Sequence, residues 1–544
     1  MKELGAFTYV IVGAGSAGCV LANRLSADPR NTVALIEAGG SDNHPWVHIP
    51  VGYLYCMGNP RMDWCFKTEA EPGLNGRVLG YPRGRILGGS SSINGMIYMR
   101  GQAADYDRWR QMGLSGWGWD DVLPYFVKSE DNASGADEMH GTGGEWRVES
   151  QRLRWPILDA VREACAEIGI PKIDDFNRGD NFGSSYFKVN QRGGLRWNTA
   201  KAFLKPVMYR RNLAVITGAQ AERVVFDGVR ATGVIVNRDG ASALVRADAE
   251  VVLAAGAIGS PQLLQLSGVG PGDLLQTLGV PIVADAPDVG ENLQDHLQIR
   301  AVYKVRNAVT LNQRAAKWTG KALIGAEYLL RRTGPMSMAP SQLGIFAKSD
   351  AAYATPNLEY HVQPLSLDKF GEPLHPFPAI TMSVCNLRPD SHGVVRAKSP
   401  DFRDAPSIRP NYLAAESDRR VAADALRLTR RIMAARALMP HTPEEYHPGP
   451  QYQSDDELTR VAGDIATTIF HPVGTCRMGT DDRAVVDVDL RVRGVHALRV
   501  ADASVMPTIT SGNTNSPTIM IAEKASDMIL AARRDISARS RSAA

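Results

Sequence analysis

Two patterns of apolar and polar positions divide this chain. Near the N-terminus, Tyr9-Val-Ile-Val12 is an unbroken β-branched run, as expected of a parallel strand buried on both faces. It stops at Gly13, and from Ala17 to Leu25 the apolar residues continue at helical spacing. The stretch NTVALIEAGG predicts a second strand ending at Glu37, and DAEVVLAAGA another before Gly256. Leu498 to Val500 predicts one more, followed by an acid-containing turn and a helix from about Pro517. Strands alternating with helices predict an α/β unit. From about 306 to 459 the pattern changes: prolines are frequent (PMSMAPSQ, EPLHPFPAI, APSIRPNY), and short alternating strands such as YHVQPLSL and AITMSVCNL appear.

A length of 544 residues favours two domains over one, and the positions of these patterns leave room for interleaving. The composition, 44% hydrophobic and 22% charged, is that of an ordinary soluble globular protein. A net charge of +3 gives no case for nucleic acid or for an acidic substrate. The six cysteines form no CxxC pair, so neither a zinc site nor a disulfide scaffold is expected, and reduced thiols in a cytoplasm are. No signal peptide or membrane-spanning run is seen, which leaves a soluble or peripheral protein. The basic, Ser/Ala-rich stretch 536–544 reads as a disordered tail.

The chemistry begins at Gly13-x-Gly15-x-x-Gly18. The first glycine permits the tight turn, the second lets the backbone approach a pyrophosphate, and the third lets helix and strand pack closely. The phosphates then face a helix N-terminus, where free N–H groups favour negative charge. Glu37 stands about 20 residues on, where a carboxylate holds a ribose hydroxyl pair and disfavours a 2′-phosphate. NAD or FAD is therefore expected over NADP. A second glycine- and serine-rich run, GRILGGSSSINGMIYMRG from Gly84, predicts a backbone-rich loop lying flat against a ligand. Asp502, in the turn after the last strand, is placed to hold a ribityl hydroxyl, with the following helix N-terminus facing the flavin. His471, in HPVGTCRMG, reads from this stretch alone as a metal ligand, a base or a structural histidine; no HxxxH or CxxC accompanies it.

Taken together, GAGSAG with Glu37, GRILGGSSSIN, GAIGSPQLLQLSGVG at Gly256–Gly270, DVGENLQDH, HPVGTCRMG and the DAS…NTNSPT segment resemble the glucose-methanol-choline (GMC) flavoprotein oxidoreductases, and among them the choline-dehydrogenase-like bacterial alcohol dehydrogenases. The resemblance implies a Rossmann-like FAD-binding domain interleaved with a substrate domain built on an antiparallel sheet with helices. Its boundaries fall at 1–155, 190–305 and 460–535 for the FAD domain and at 156–189 and 306–459 for the substrate domain. It implies His471 as the base beside flavin N5 and Asn513 as its partner, with Asn515 the competitor for that place. FAD contacts are carried over to Gly13, Gly15, Ser16, Ala17, Glu37, Ala38, Arg85, Gly88, Gly89, Ser90, Asn94, Gly95, Met96, Ile97, Val224, Ala255, Asp502, Ala503, Asn515 and Thr518, with Val224 meeting adenine through its backbone. Some relatives attach FAD covalently through a histidine just before the asparagine; Ile93 stands there, so non-covalent FAD is expected. His296 reads as supporting or structural, Cys476 as a packed thiol, and no metal is expected.

Oxidising an alcohol requires removal of the hydroxyl proton and passage of a hydride to the flavin, which suits an imidazole base and an amide donor. Tyr53, Tyr55, Met57 and Trp64 are candidates for an apolar substrate mouth, favouring a primary aliphatic or aromatic alcohol over a sugar. No carboxylate is readily placed beside a choline cation. The acceptor is expected to be a quinone or another carrier, with an oxygen-using oxidase as the alternative and an FAD-containing lyase or photodecarboxylase as the second alternative. A quinone would invite peripheral membrane contact, and the oligomeric state stays open.

Overall fold

A computed structural model describes the backbone of residues 2–369 and 371–542, and side chains as far as residue 534. A seven-stranded sheet runs in the order Leu213–Ile216, Val33–Ile36, Lys2–Val12, Ala241–Leu253, Arg230–Arg238, Ala219–Asp227, with Leu498–Val500 also paired to Ala241–Leu253. The strands around Lys2–Val12 are parallel, and the last three of the order form antiparallel pairs. Tyr9 to Val12 and Val33 to Ile36 are buried, as their uninterrupted apolar sequence requires. Each valine, leucine and isoleucine among them contributes about 1.5–3 kcal/mol by leaving water.

At Gly13 the chain turns with φ +102°, a conformation L side chains rarely adopt, and enters the helix Ser16–Leu25. Gly18 lies so close under that turn that a Cβ there would sit 1.8 Å from the Gly13 carbonyl oxygen. Helix Asn515–Ser542 packs on Ser16–Leu25 and on Trp119–Ser129. It extends through residues 536–542 of the stretch expected to be disordered; Ala543 and Ala544 lie outside the described residues.

The second sheet is antiparallel, in the order Glu444–His447, Leu297–Lys304, Ala379–Asn386, Leu358–Gln363, Leu343–Ala347, Gly183–Tyr186, with Ala466–Thr468 also paired to Leu297–Lys304. One face, including Ile299, Tyr360 and Met382, packs against helices Pro156–Glu167, Glu416–Met433 and Asp455–Ile465. The other face is polar. Across it Gln298, Cys385 and Glu359 lie in one row, and Arg300, Ser383 and His361 in the next. This sheet takes in 297–304 and 466–468, stretches assigned from sequence to the FAD domain. No helix among the described residues is long and apolar enough to cross a membrane.

Gly18→Ala is expected to lower the thermal midpoint, because the added methyl meets backbone and not a yielding side chain, at a cost of roughly 3 kcal/mol. Gly325→Ala, where a Cβ meets nothing within 4 Å on a helix, should leave the midpoint unchanged or raise it. Thermal melts followed by circular dichroism compare the two.

Candidate active site

A cavity of about 370 Å³ lies where the two sheets meet. Gly13, Gly15, Ser16, Ala17, Glu37, Ala38, Gly89, Ser90, Asn94, Gly95, Met96, Ile97, Ala255, Asp502, Ala503, Asn515 and Thr518 all line it, as do His471 and Asn513. The structure thus collects segments from four distant parts of the chain. Gly15 and Gly89 touch through their backbones: a Cβ on Gly89 would lie 2.6 Å from the Gly15 Cα. The Gly88 N–H donates to the Ala14 carbonyl at 2.8 Å, pinning the second glycine loop onto the first. Ser16 Oγ donates to Asn515 Oδ1 at 2.6 Å, joining the two helix N-termini at the cavity wall.

Glu37 accepts from the Ala14 N–H at 2.9 Å and the Gly39 N–H at 2.8 Å, which hold its carboxylate towards the cavity. Burial pushes its pKa up to about 7 against those two donors, so hydroxyl groups donating to it would favour the charged form. Asn94 Oδ1 accepts from the Met96 N–H at 3.0 Å and from Arg196 Nη1 at 2.8 Å. Sequence alone gave no signal for Arg196, because it acts through Asn94 from more than 100 residues away.

Three expected cofactor residues do not line the cavity. Val224 is buried and its N–H donates to Ser267 Oγ at 2.8 Å; Ala219, Gln220 and Ala221 meet the cavity from the same strand instead. A register shift between Ala221 and Arg223 separates the two stretches. Arg85 lays its guanidinium over the Trp64 ring, 5.0 Å from the centroid, and Gly88 turns the loop behind Gly89. Asp502 lines the cavity, but its carboxylate is committed to protein. Oδ2 accepts from the Gly256 N–H and Ser260 Oγ, and Oδ1 from the N–H and Oγ of Ser504. It ties two turns together at the cavity wall.

At the other end stands His471. Phe470 before it has φ +69°, a strained conformation for a bulky residue, and Pro472 follows. That turn is held by Asp295. Its Oδ1 accepts the His471 N–H at 2.7 Å, and its Oδ2 accepts Tyr81 and Tyr412 hydroxyls at 2.8 and 2.5 Å and Thr468 Oγ1 at 2.6 Å. Arg83 Nη2 donates to the Phe470 carbonyl at 2.7 Å.

The ring of His471 is oriented by a relay. His296 Nε2 lies 3.1 Å from the Leu387 carbonyl, which can only accept, so that nitrogen carries the proton. His296 Nδ1 is then the acceptor for His471 Nδ1–H at 3.1 Å. This leaves a lone pair on His471 Nε2, which accepts from Asn513 Nδ2 at 3.0 Å. Asn515, the competing candidate, faces Ser16. The pKa of His471 is pushed well below its ordinary value by burial, then by His296, His361 and Arg83, so the ring is neutral.

Tyr53, Met57, Trp64 and Phe66 also line the cavity, together with Gln298, His361 and Gln363 from the polar face of the second sheet. Tyr55, by contrast, is exposed and stacks on Trp46. His361 Nε2 lies 3.2 Å from Glu359 Oε1; with Cys385 these two form a buried trio whose potential ligand atoms lie within 4.8 Å of one another. Cys476 is buried, and burial pushes its thiol pKa far up.

Residues 7–298 and 389–522 match the N- and C-terminal models described as GMC oxidoreductase. The chain is 41% identical to the mitochondrial choline dehydrogenase of Homo sapiens over 96% of its own length and 89% of that protein's. It is 40% identical to an alcohol dehydrogenase (acceptor) of Pseudomonas putida over 96% of both. Among solved structures it resembles pyridoxine 4-oxidase from Mesorbium loti, with a TM-score of 0.87, 34% identity and coverage of 96% and 98%.

Asp295→Asn is expected to cost about 3 kcal/mol, since an amide NH2 would face hydroxyl and N–H donors. A thermal melt should register the loss. Turnover should fall at least about tenfold with it, because the His471 turn loses its anchor.

Proposed function

The chain belongs to the GMC oxidoreductase family, FAD enzymes acting on CH–OH donors, and on that premise we propose that it oxidises a primary aliphatic or aromatic alcohol to the aldehyde with a non-oxygen electron acceptor. The observation that carries this reading is the unprotonated Nε2 of a neutral, buried His471 paired with Asn513 at the cavity wall. Bound FAD supplies the hydride acceptor. His471 Nε2 takes the hydroxyl proton, and the His296–Leu387 relay keeps that nitrogen free for it. Asn513 Nδ2 donates to the oxygen as negative charge develops there. Tyr53, Trp64 and Phe66 exclude water along one side of the substrate.

The residues fit the cofactor. A Cβ on Gly89 would strike the Gly15 backbone, and the helix N-termini at Ser16 and Asn515 face the cavity. Ile93 before Asn94 supports non-covalent attachment. Arg83 in the wall and Arg300 on the same sheet face as His361 outnumber the carboxylate there, Glu359, which weighs against a quaternary ammonium substrate. The 40% identity to an alcohol dehydrogenase (acceptor) supports a carrier such as a quinone; equal identity to oxygen-dependent choline dehydrogenases and 34% to an oxidase make oxygen the second reading.

His471→Ala should keep its flavin absorbance and lose about 10²–10⁴-fold in turnover, whereas Gly15→Val should purify colourless. Near-normal turnover of the first variant would refute the base assignment. Anaerobic mixing with an alcohol panel should bleach the flavin band, and slow return of colour in air supports the carrier over oxygen. Because His471 is held neutral, kcat/KM should stay level as pH falls through 6.5, with the acid limb only below it. An acid limb at or above that pH in the rate profile would contradict the depressed pKa.

A further inference from the structure

Helix Trp318–Arg331 buries only Ile324 and Tyr328. At 100° per residue, Trp318, Ala322, Leu323, Ala326, Leu329 and Leu330 fall within one continuous arc of about 140°, and no charged residue interrupts it. Trp318 is 79% exposed, Leu323 70%, Leu329 75% and Leu330 84%. Lys317, Lys321 and Arg331, all exposed, lie on the opposite side of the helix and flank the buried Ile324 and Tyr328. The one acid of the helix, Glu327, is half-buried and paired with Arg314 at 3.1 Å. We propose that this helix docks on an anionic lipid bilayer, lying in the plane of the headgroups with Trp318 and its leucines inserted.

Charge decides the occupant. Lys317, Lys321 and Arg331 outnumber the one paired acid, and their long side chains can reach an anionic surface that neutralises them, which a second copy of the same basic helix does not offer. A basic helix with tryptophan and leucines on its apolar side has the composition of an interfacial helix. Its 14 residues span about 21 Å, too short to cross a bilayer but suited to lying in one.

The helix leads directly to the site. After it, Pro335–Ser337 packs on Pro50–Gly52, next to Tyr53, and Pro340 and Ser341 line the cavity. Leu54 and Tyr55, on that same neighbouring segment, are exposed apolar residues as well. Docking stands on this surface alone; its use to reach a lipid-soluble acceptor rests on the dehydrogenase reading.

Flotation of the flavin-loaded enzyme with phosphatidylcholine vesicles, with and without phosphatidylglycerol, tests the docking. The enzyme should rise only with the anionic vesicles. Lys317→Gln and Lys321→Gln should each weaken partitioning about fivefold. The double variant Leu329→Asp, Leu330→Asp should stay at the bottom while keeping its flavin and its turnover with a water-soluble dye. Failure of the native enzyme to float on anionic vesicles, or unchanged flotation of the double leucine variant, would overturn the proposal. So would a solution dimer that the leucine variant splits while vesicles capture nothing. Because flotation is read without turnover, an enzyme that floats but uses oxygen would strike the dehydrogenase reading and leave the docking in place.

Discussion

Four donors converge on the Asp295 carboxylate, and the site depends on that convergence. Tyr81, Tyr412 and the Thr468–His471 turn are three separate segments, and together they direct four hydrogen bonds to one buried acid. A carboxylate out of water is costly unless fully hydrogen-bonded, so the acid stays put only while all three segments are in place. That requirement couples the loop bearing the histidine to the start of the second sheet, two residues after Asp295. It also sustains the unfavourable backbone of Phe470, which aims His471 into the cavity.

The parts legible in sequence are those whose partners are near in the chain. Gly13, Gly15, Gly18 and Glu37 form one contiguous unit, and their spacing carried its geometry because the bonds from the Ala14 and Gly39 N–H groups to Glu37 are local. His471 and Asn513 were readable through the motifs around them. Val224 was misplaced because a bulge in its own strand sets which residues face the cavity, and a bulge leaves no mark in apolar alternation. Asp502 was assigned to the cofactor because a lone acid after a strand invites it; two of its four donors, Gly256 and Ser260, are over 240 residues away. The boundary expected at 305 missed strand Leu297–Lys304 because that strand follows a motif of the cofactor unit without any linker.

The polar wall of the cavity lies between these cases. In Leu358–Gln363 the residues Glu359, His361 and Gln363 alternate with Leu358, Tyr360 and Val362, so the period of two was visible. Which face meets the cavity was not, because it depends on helices packed against the other side from residues 156–167, 416–433 and 455–465. The polar rows then carry the chemistry and the apolar rows the stability, within the same strands.

The hydrogen bond from Ser16 to Asn515 spans 499 residues of chain. At the usual ~5–20 residues per second of synthesis, the first half of that contact waits about 25–100 s for the second. Throughout that interval the nascent chain holds a glycine turn and a strand but lacks the wall that completes the pocket. The pocket is therefore complete only after the ribosome has made nearly everything else, and until then the parallel sheet lacks the strand Leu498–Val500 and the helix that cover it.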